Sequence, residues 1–204
     1  MASRQGLLSV VTLLCVGATT LDAASLALKP GQCPSVTTQA TLDVSKYLGL
    51  WYEIQRFPIV FERGTCITAE YSLKPNGRVK VDNRFLEKGV VNQAIGEAYQ
   101  QDPVNKPAVL SVSFRVGSRP ALYNIIETDY STHTLIYSCE NFGSTLHVEF
   151  AWILSRTRSL NATTVQRLET KLGSFGIDTK QFLVTDQTGC SNVTAPITDS
   201  PLVG

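Results

Sequence analysis

Residues 67–85 read Ile67-Thr68-Ala69-Glu70-Tyr71-Ser72-Leu73-Lys74-Pro75-Asn76-Gly77-Arg78-Val79-Lys80-Val81-Asp82-Asn83-Arg84-Phe85. Ile67, Ala69, Tyr71 and Leu73 alternate with Thr68, Glu70 and Ser72. Beyond the Lys74-Pro75-Asn76-Gly77 turn signal, Val79, Val81, Asn83 and Phe85 share the opposite parity to Lys80, Asp82 and Arg84. Side chains of a strand alternate between its two faces, so this period of two around a turn is an antiparallel hairpin with one mostly apolar face.

The same unit repeats outward from Leu48 to Arg156. Turn signals stand at Glu87-Lys88-Gly89, in residues 102–107 with their two prolines, at Gly117-Ser118-Arg119-Pro120, in residues 129–132 and at Asn141-Phe142-Gly143-Ser144. With the longer 57–65 segment they delimit eight strands. Leu110, Val112, Phe114 and Val116 share one face of the fifth, and Val148, Phe150, Trp152 and Leu154 one face of the eighth. Residues 121–128 are apolar on both parities, which leaves open whether Tyr123 or Asn124 points inward.

After Arg156 the period lengthens. Val165, Leu168, Leu172 and Phe175 recur at helical spacing, Thr163 and Gln166 form a capping box, and Gly173 or Gly176 ends the helix. Phe182-Leu183-Val184 follows as a short ninth strand. The expected class is all-β: an eight-stranded antiparallel up-and-down barrel, whose closure removes the exposed edges, with one C-terminal helix packed outside.

The chain of 204 residues suits one domain, and its 18 Lys plus Arg balance 17 Asp plus Glu, which gives no field to concentrate nucleic acid. Residues 1–24 read as a signal peptide: Arg4 precedes an apolar run from Leu7 to Ala18 broken only by Ser9 and Thr12, with cleavage expected between Ala18 and Ser25. Residues 25–190 then form the domain and 191–204 a polar tail, and the expected localisation is extracellular. Cys15 leaves with the leader. Cys33, Cys66, Cys139 and Cys190 remain, an even number that predicts two disulfides in any of three connectivities. Asn161-Ala162-Thr163 and Asn192-Val193-Thr194 are sequons.

Chemistry-bearing motifs are scarce. His133 and His147 have no cysteine or second histidine at ligand spacing, so no metal site is expected. No nucleophile elbow, zinc-protease motif, phosphate loop or dinucleotide fingerprint occurs, so no cofactor and no hydrolase or kinase activity is expected.

Three motifs in order carry a resemblance: Gly49-Leu50-Trp51 opening the first strand, Thr128-Asp129-Tyr130 in the turn after the sixth, and Arg156 ending the eighth. Together the chain resembles the lipocalin family. The resemblance implies a barrel end closed by Trp51 with Arg156 over its indole as a cation–π pair. Within the family, residues 46–54, 148–154 and 185–187 are similar to the apolipoprotein D branch and its invertebrate members, over a match from about Gln32 to Cys190. That branch implies disulfides Cys33–Cys139 and Cys66–Cys190, each contributing about 4–5 kcal/mol in the loop-entropy account. The chain departs from the branch at Asn124, which stands for an aromatic residue and implies a more polar pocket side. It departs again at Ser118, which stands for a methionine, and it lacks the branch's unpaired cysteine.

The function implied is a secreted carrier for a sterol, retinoid, fatty acid or bilin, with Tyr71, Asn83, Phe114 and Trp152 lining the pocket. Asn83 is the sharpest of these, because an amide among Val79, Val81 and Phe85 is costly unless it bonds a ligand, a water or a neighbour. The inward faces named above carry no Lys or Arg, which favours a neutral or weakly polar ligand. An isomerase like prostaglandin D synthase would use a free thiol at Cys66, and pairing of all four cysteines weighs against it. A second reading has Phe57, Ile59, Val60 and Phe61 dock on a lipoprotein or membrane surface, unless that loop folds down as a lid.

Overall fold

The computed structural model describes residues 28–59, 64–115, 117–191 and 193. The expected leader, Val60, Phe61, Val116 and the Asn192 sequon lie outside the described residues.

The eight expected strands are β2 (Gly49–Arg56), β3 (Thr65–Leu73), β4 (Val79–Glu87), β5 (Val90–Gln100), β6 (Val109–Ser113), β7 (Ala121–Thr128), β8 (His133–Phe142) and β9 (Leu146–Ser155). Each pairs antiparallel with the next, and β9 returns to pair with β2, which closes the barrel. Three further elements attach to it: β1 (Lys29–Pro30) on β9, β10 (Leu183–Val184) on β2, and the turn of helix α1 (Val44–Tyr47) ahead of β2. Helix α2 (Ala162–Gly173) is the expected C-terminal helix. Its cap differs from the Thr163–Gln166 box: Asn161 is the N-cap, its side-chain oxygen accepting the Thr163 amide at 2.8 Å.

Two apolar cores lie on the two faces of this sheet. The inner one gathers Tyr47, Trp51, Tyr71, Val79, Val81, Ala98, Leu110, Ile125, Ile136 and Leu154. The outer one packs Leu168 and Leu172 of α2 on Ile126, Leu135, Tyr137, Ala151 and Ile153. Because α2 covers β7 to β9, those strands are apolar on both parities. This explains why residues 121–128 do not declare their inner face.

Phe57 is fully buried in the outer core, 4.6 Å from the ring of Phe182, and Ile59 is also buried. Neither the docking surface nor the lid expected of this stretch describes Phe57, which anchors the loop beneath α2.

Disulfides join Cys33 to Cys139 and Cys66 to Cys190 across 106 and 124 residues of sequence. The first ties the N-terminal segment to β8, and the second ties the C-terminal segment to the start of β3. Cys66 has no exposed surface and its sulfur is committed to Cys190, so it is not the free thiol an isomerase would need.

Candidate functional site

The barrel is a cup, and its floor is built first by the chain. Asp43 accepts the Ser45 amide at 3.1 Å and caps α1, which swings Tyr47 under the barrel. Trp51 then enters with no exposed surface and donates its indole N–H to the Tyr47 carbonyl at 2.9 Å. Gly49 makes the turn into β2 at φ +91°, a conformation other residues resist.

Arg156, at the end of β9, lies over Trp51 at 3.6 Å from the ring centroid. Its Nε donates to the Tyr130 carbonyl at 2.9 Å and Nη1 to Leu50 at 2.8 Å, while Nη2 reaches Lys46 and Leu48 at 3.0 and 2.9 Å. One guanidinium thus ties α1, β2 and the turn after β7 together. In that turn Thr128 Oγ1 accepts the Tyr130 amide at 3.0 Å, and Asp129 accepts the amides of Thr132 and His133 at 2.8 and 3.0 Å. Burial opposes ionisation of Asp129, but these bonds, the Thr132 hydroxyl and the nearby His133 outweigh it and hold the carboxyl at about 2.

Above the indole sits a chain of hydroxyls. Tyr71 and Tyr123 meet at 2.9 Å, Tyr123 and Tyr47 at 3.4 Å, and Tyr47 reaches Thr134 at 3.2 Å. Burial pushes the Tyr47 phenol up to about 12 and that of Tyr123 well above its ordinary value. The floor therefore offers neutral donors and acceptors, not charge. Tyr71, expected as wall, belongs to this floor.

The register decides the walls, since directly paired residues share a face. Leu110 pairs with Tyr123 and Ile136 with Trp152, so Tyr123 and Trp152 face inward. Asn124 pairs with Tyr137 of the outer core and donates to its carbonyl at 3.0 Å. The more polar pocket side expected from Asn124 is thereby corrected: the inward side chain is Tyr123. Tyr123 and Phe150 flank Trp152 at 6.3 and 6.1 Å between centroids, a half-buried aromatic wall.

Asn83 faces inward between Ala69 and Ala94, its register partners. It is half-buried, and its buried Oδ1 has no hydrogen-bond partner among the described residues. Phe114 lies beyond the end of β6 and is 45 % exposed, so it belongs to the rim and not to the depth of the pocket. Its ring covers Gly96, where an added Cβ would come within 2.8 Å of it. Inward positions grade from buried Trp51 and Leu154 through half-buried Trp152 and Asn83 to exposed Phe114, which is the burial profile of a cup open at one end.

Sequence reasoning missed two features of these walls. Ala94, Gly96 and Ala98 form a small-residue stripe on β5, opposite Asn83, Val81 and Val79, and the Phe114 ring packs on it at Gly96. The alternation of small residues was the signal for it. Arg56 was missed because β2 bulges between Glu53 and Gln55, which shifts its parity. Arg56 pairs with inward Trp152 and Glu53 with inward Leu154, and the two are ion-paired at 3.2 Å. The inward faces read from the sequence carry no Lys or Arg, and Arg56, on a strand whose face was not read, adds one, with its charge offset by Glu53.

Outside the floor, Glu127 holds α2 to the barrel: it accepts from Arg167 and Lys171 of α2 at 2.6 and 2.8 Å and meets His133 at 3.0 Å. Burial alone would raise its pKa, but the three partners lower it to about 2.

Residues 42–187 match the lipocalin-like domain family. Apolipoprotein D of Mus musculus is 46% identical over 161 residues, which cover 78% of this chain and 85% of that protein. The Lazarillo protein of Schistocerca americana is 30% identical over 191 residues, covering 90% and 86%. Among solved structures, apocrustacyanin C1 superposes with a TM-score of 0.69 at 27% identity, over 78% of this chain and 91% of that one. Insecticyanin from the tobacco hornworm Manduca sexta gives 0.68 at 29% identity, over 78% and 88%.

Proposed function

The chain belongs to the lipocalin family, and on that premise we propose that it is a secreted carrier of one small, mostly apolar molecule with a single polar group, held in the barrel and released unchanged. The observation that carries this reading is the pairing of an inward aromatic wall, Trp152 with Phe150 and Tyr123, with the Oδ1 of Asn83, which has no partner among the described residues. A flat apolar surface supplies affinity, and one buried amide supplies orientation, because leaving it unbonded costs about 1–3 kcal/mol.

The polar groups near the lumen favour a neutral ligand. The Tyr47 and Tyr123 hydroxyls stay protonated, and Arg56 is already matched by Glu53. Sterols, retinoids and protonated long-chain fatty acids meet these requirements, whereas bilins, which carry two propionic groups, match the aromatic wall but not the single polar group. Two disulfides fit an oxidising compartment, and with Cys66 bonded to Cys190 transport is preferred over thiol catalysis. The test is to purify the chain from its native source, extract it with organic solvent and identify what is released by mass spectrometry. One amphipathic lipid near one equivalent is expected. A barrel that carries none, and binds no sterol, retinoid, fatty acid or bilin on addition, contradicts the reading.

A further inference from the structure

At the closed end, outside the barrel, a cavity of about 300 Å³ lies between the turn after β7, the end of β9 and the start of α2. Ser131, Ser159 and Thr164 line it, Leu160 contributes an apolar patch, Arg156 forms part of its wall, and Asn161 stands at its edge. The Arg156 guanidinium does not make this an anion site, because most of its N–H groups already donate to backbone carbonyls. What remains are three hydroxyls with no hydrogen-bond partner among the described residues, beside an apolar surface. Neutral hydroxyls around an apolar patch match a sugar ring, which is polar at its edge and apolar on its faces.

Asn161 adds the means of attachment. It is exposed, it lies in Asn161-Ala162-Thr163, and its Oδ1 is turned toward the Thr163 amide at 2.8 Å. No described residue accepts from its Nδ2. We infer that Asn161 carries an N-linked glycan whose first N-acetylhexosamine packs into this hydroxyl-lined cavity and braces the closed end of the barrel. The attachment follows ordinary glycosyl transfer: Nδ2 bonds to the anomeric carbon of a lipid-diphosphate-linked oligosaccharide and gives up one proton to base. The bond from that carbon to the diphosphate oxygen breaks, and the lipid diphosphate leaves. Because Asn161 itself lines the cavity, the first sugar is attached directly beside it.

The inference rests on the export reading above, though not on the ligand. Its test is expression of the full chain with its own leader in a glycosylating eukaryotic host. Glycopeptide mass spectrometry then follows, with thermal unfolding of the exported protein after endoglycosidase trimming to one sugar. The Asn161 peptide is expected to carry a glycan. The single-sugar protein is expected to melt about 2–4 °C above both Asn161→Asp, which keeps a capping oxygen, and Thr163→Ala, which keeps Asn161. An exported chain with unmodified Asn161 overturns the proposal and leaves export standing, and a chain retained in the cytosol overturns both. A glycan at Asn161 whose first sugar leaves the melting temperature equal to that of both variants overturns the packing.

Discussion

The Arg156 guanidinium lies over the Trp51 indole, 3.6 Å from its centroid, although the two residues are 105 positions apart in sequence. The same guanidinium donates to the carbonyls of Leu50, Leu48, Lys46 and Tyr130. Arg156→Ala therefore removes a cation–π contact and leaves several carbonyls without their donor. Urea denaturation is expected to show a loss of about 2–4 kcal/mol. Arg156→Lys should recover less than half of it, since an ammonium lacks the planar fork. A loss below about 0.5 kcal/mol would contradict this account of the closed end.

Acid should loosen both the attachment of α2 at Glu127 and the turn after β7 at Asp129. Glu127 and Asp129 ionise at lower pH in the folded chain, at about 2, than in the unfolded one. Their stabilisation is thus complete above the ordinary carboxylate range, near 4.5 for Glu127, and is lost as the pH falls toward 2. Glu127→Gln is expected to cost about 2 kcal/mol at pH 7 after allowance for solvent screening, and to flatten the fall in stability below pH 4.5. Melting temperatures measured from pH 7 to pH 2 check it, and parallel curves for the two proteins would contradict it.

The strand plan was legible because hairpins write their register locally. Alternation on either side of Lys74-Pro75-Asn76-Gly77 places Asn83 inward without any tertiary knowledge, and the register agrees. Where a second layer covers the sheet, that signal fails. Ile125 serves the inner core and Ile126 the outer one, so residues 121–128 show no parity, and only pairing with Leu110 brings Tyr123 inside. A bulge defeats parity for a different reason. The extra residue between Glu53 and Gln55 carries Arg56 to the inner face, and nothing in the local pattern announces it. Asn161 in place of Thr163 as helix cap shows the third limit, since adjacent polar residues compete for a boundary that only the backbone path decides.

The central claim is that Trp152 and Asn83 recognise one ligand, and tryptophan emission tests it most directly. The chain has two tryptophans, so Trp51→Phe, shown to be folded by circular dichroism, reports on Trp152 alone. Titration with a retinoid alcohol is expected to quench that emission saturably at one equivalent. Adding Asn83→Leu should weaken the alcohol about tenfold while leaving its hydrocarbon analogue nearly unchanged. Emission that ignores every sterol, retinoid, fatty acid and bilin in the folded protein, or an Asn83→Leu effect equal for alcohol and hydrocarbon, would contradict the assigned site.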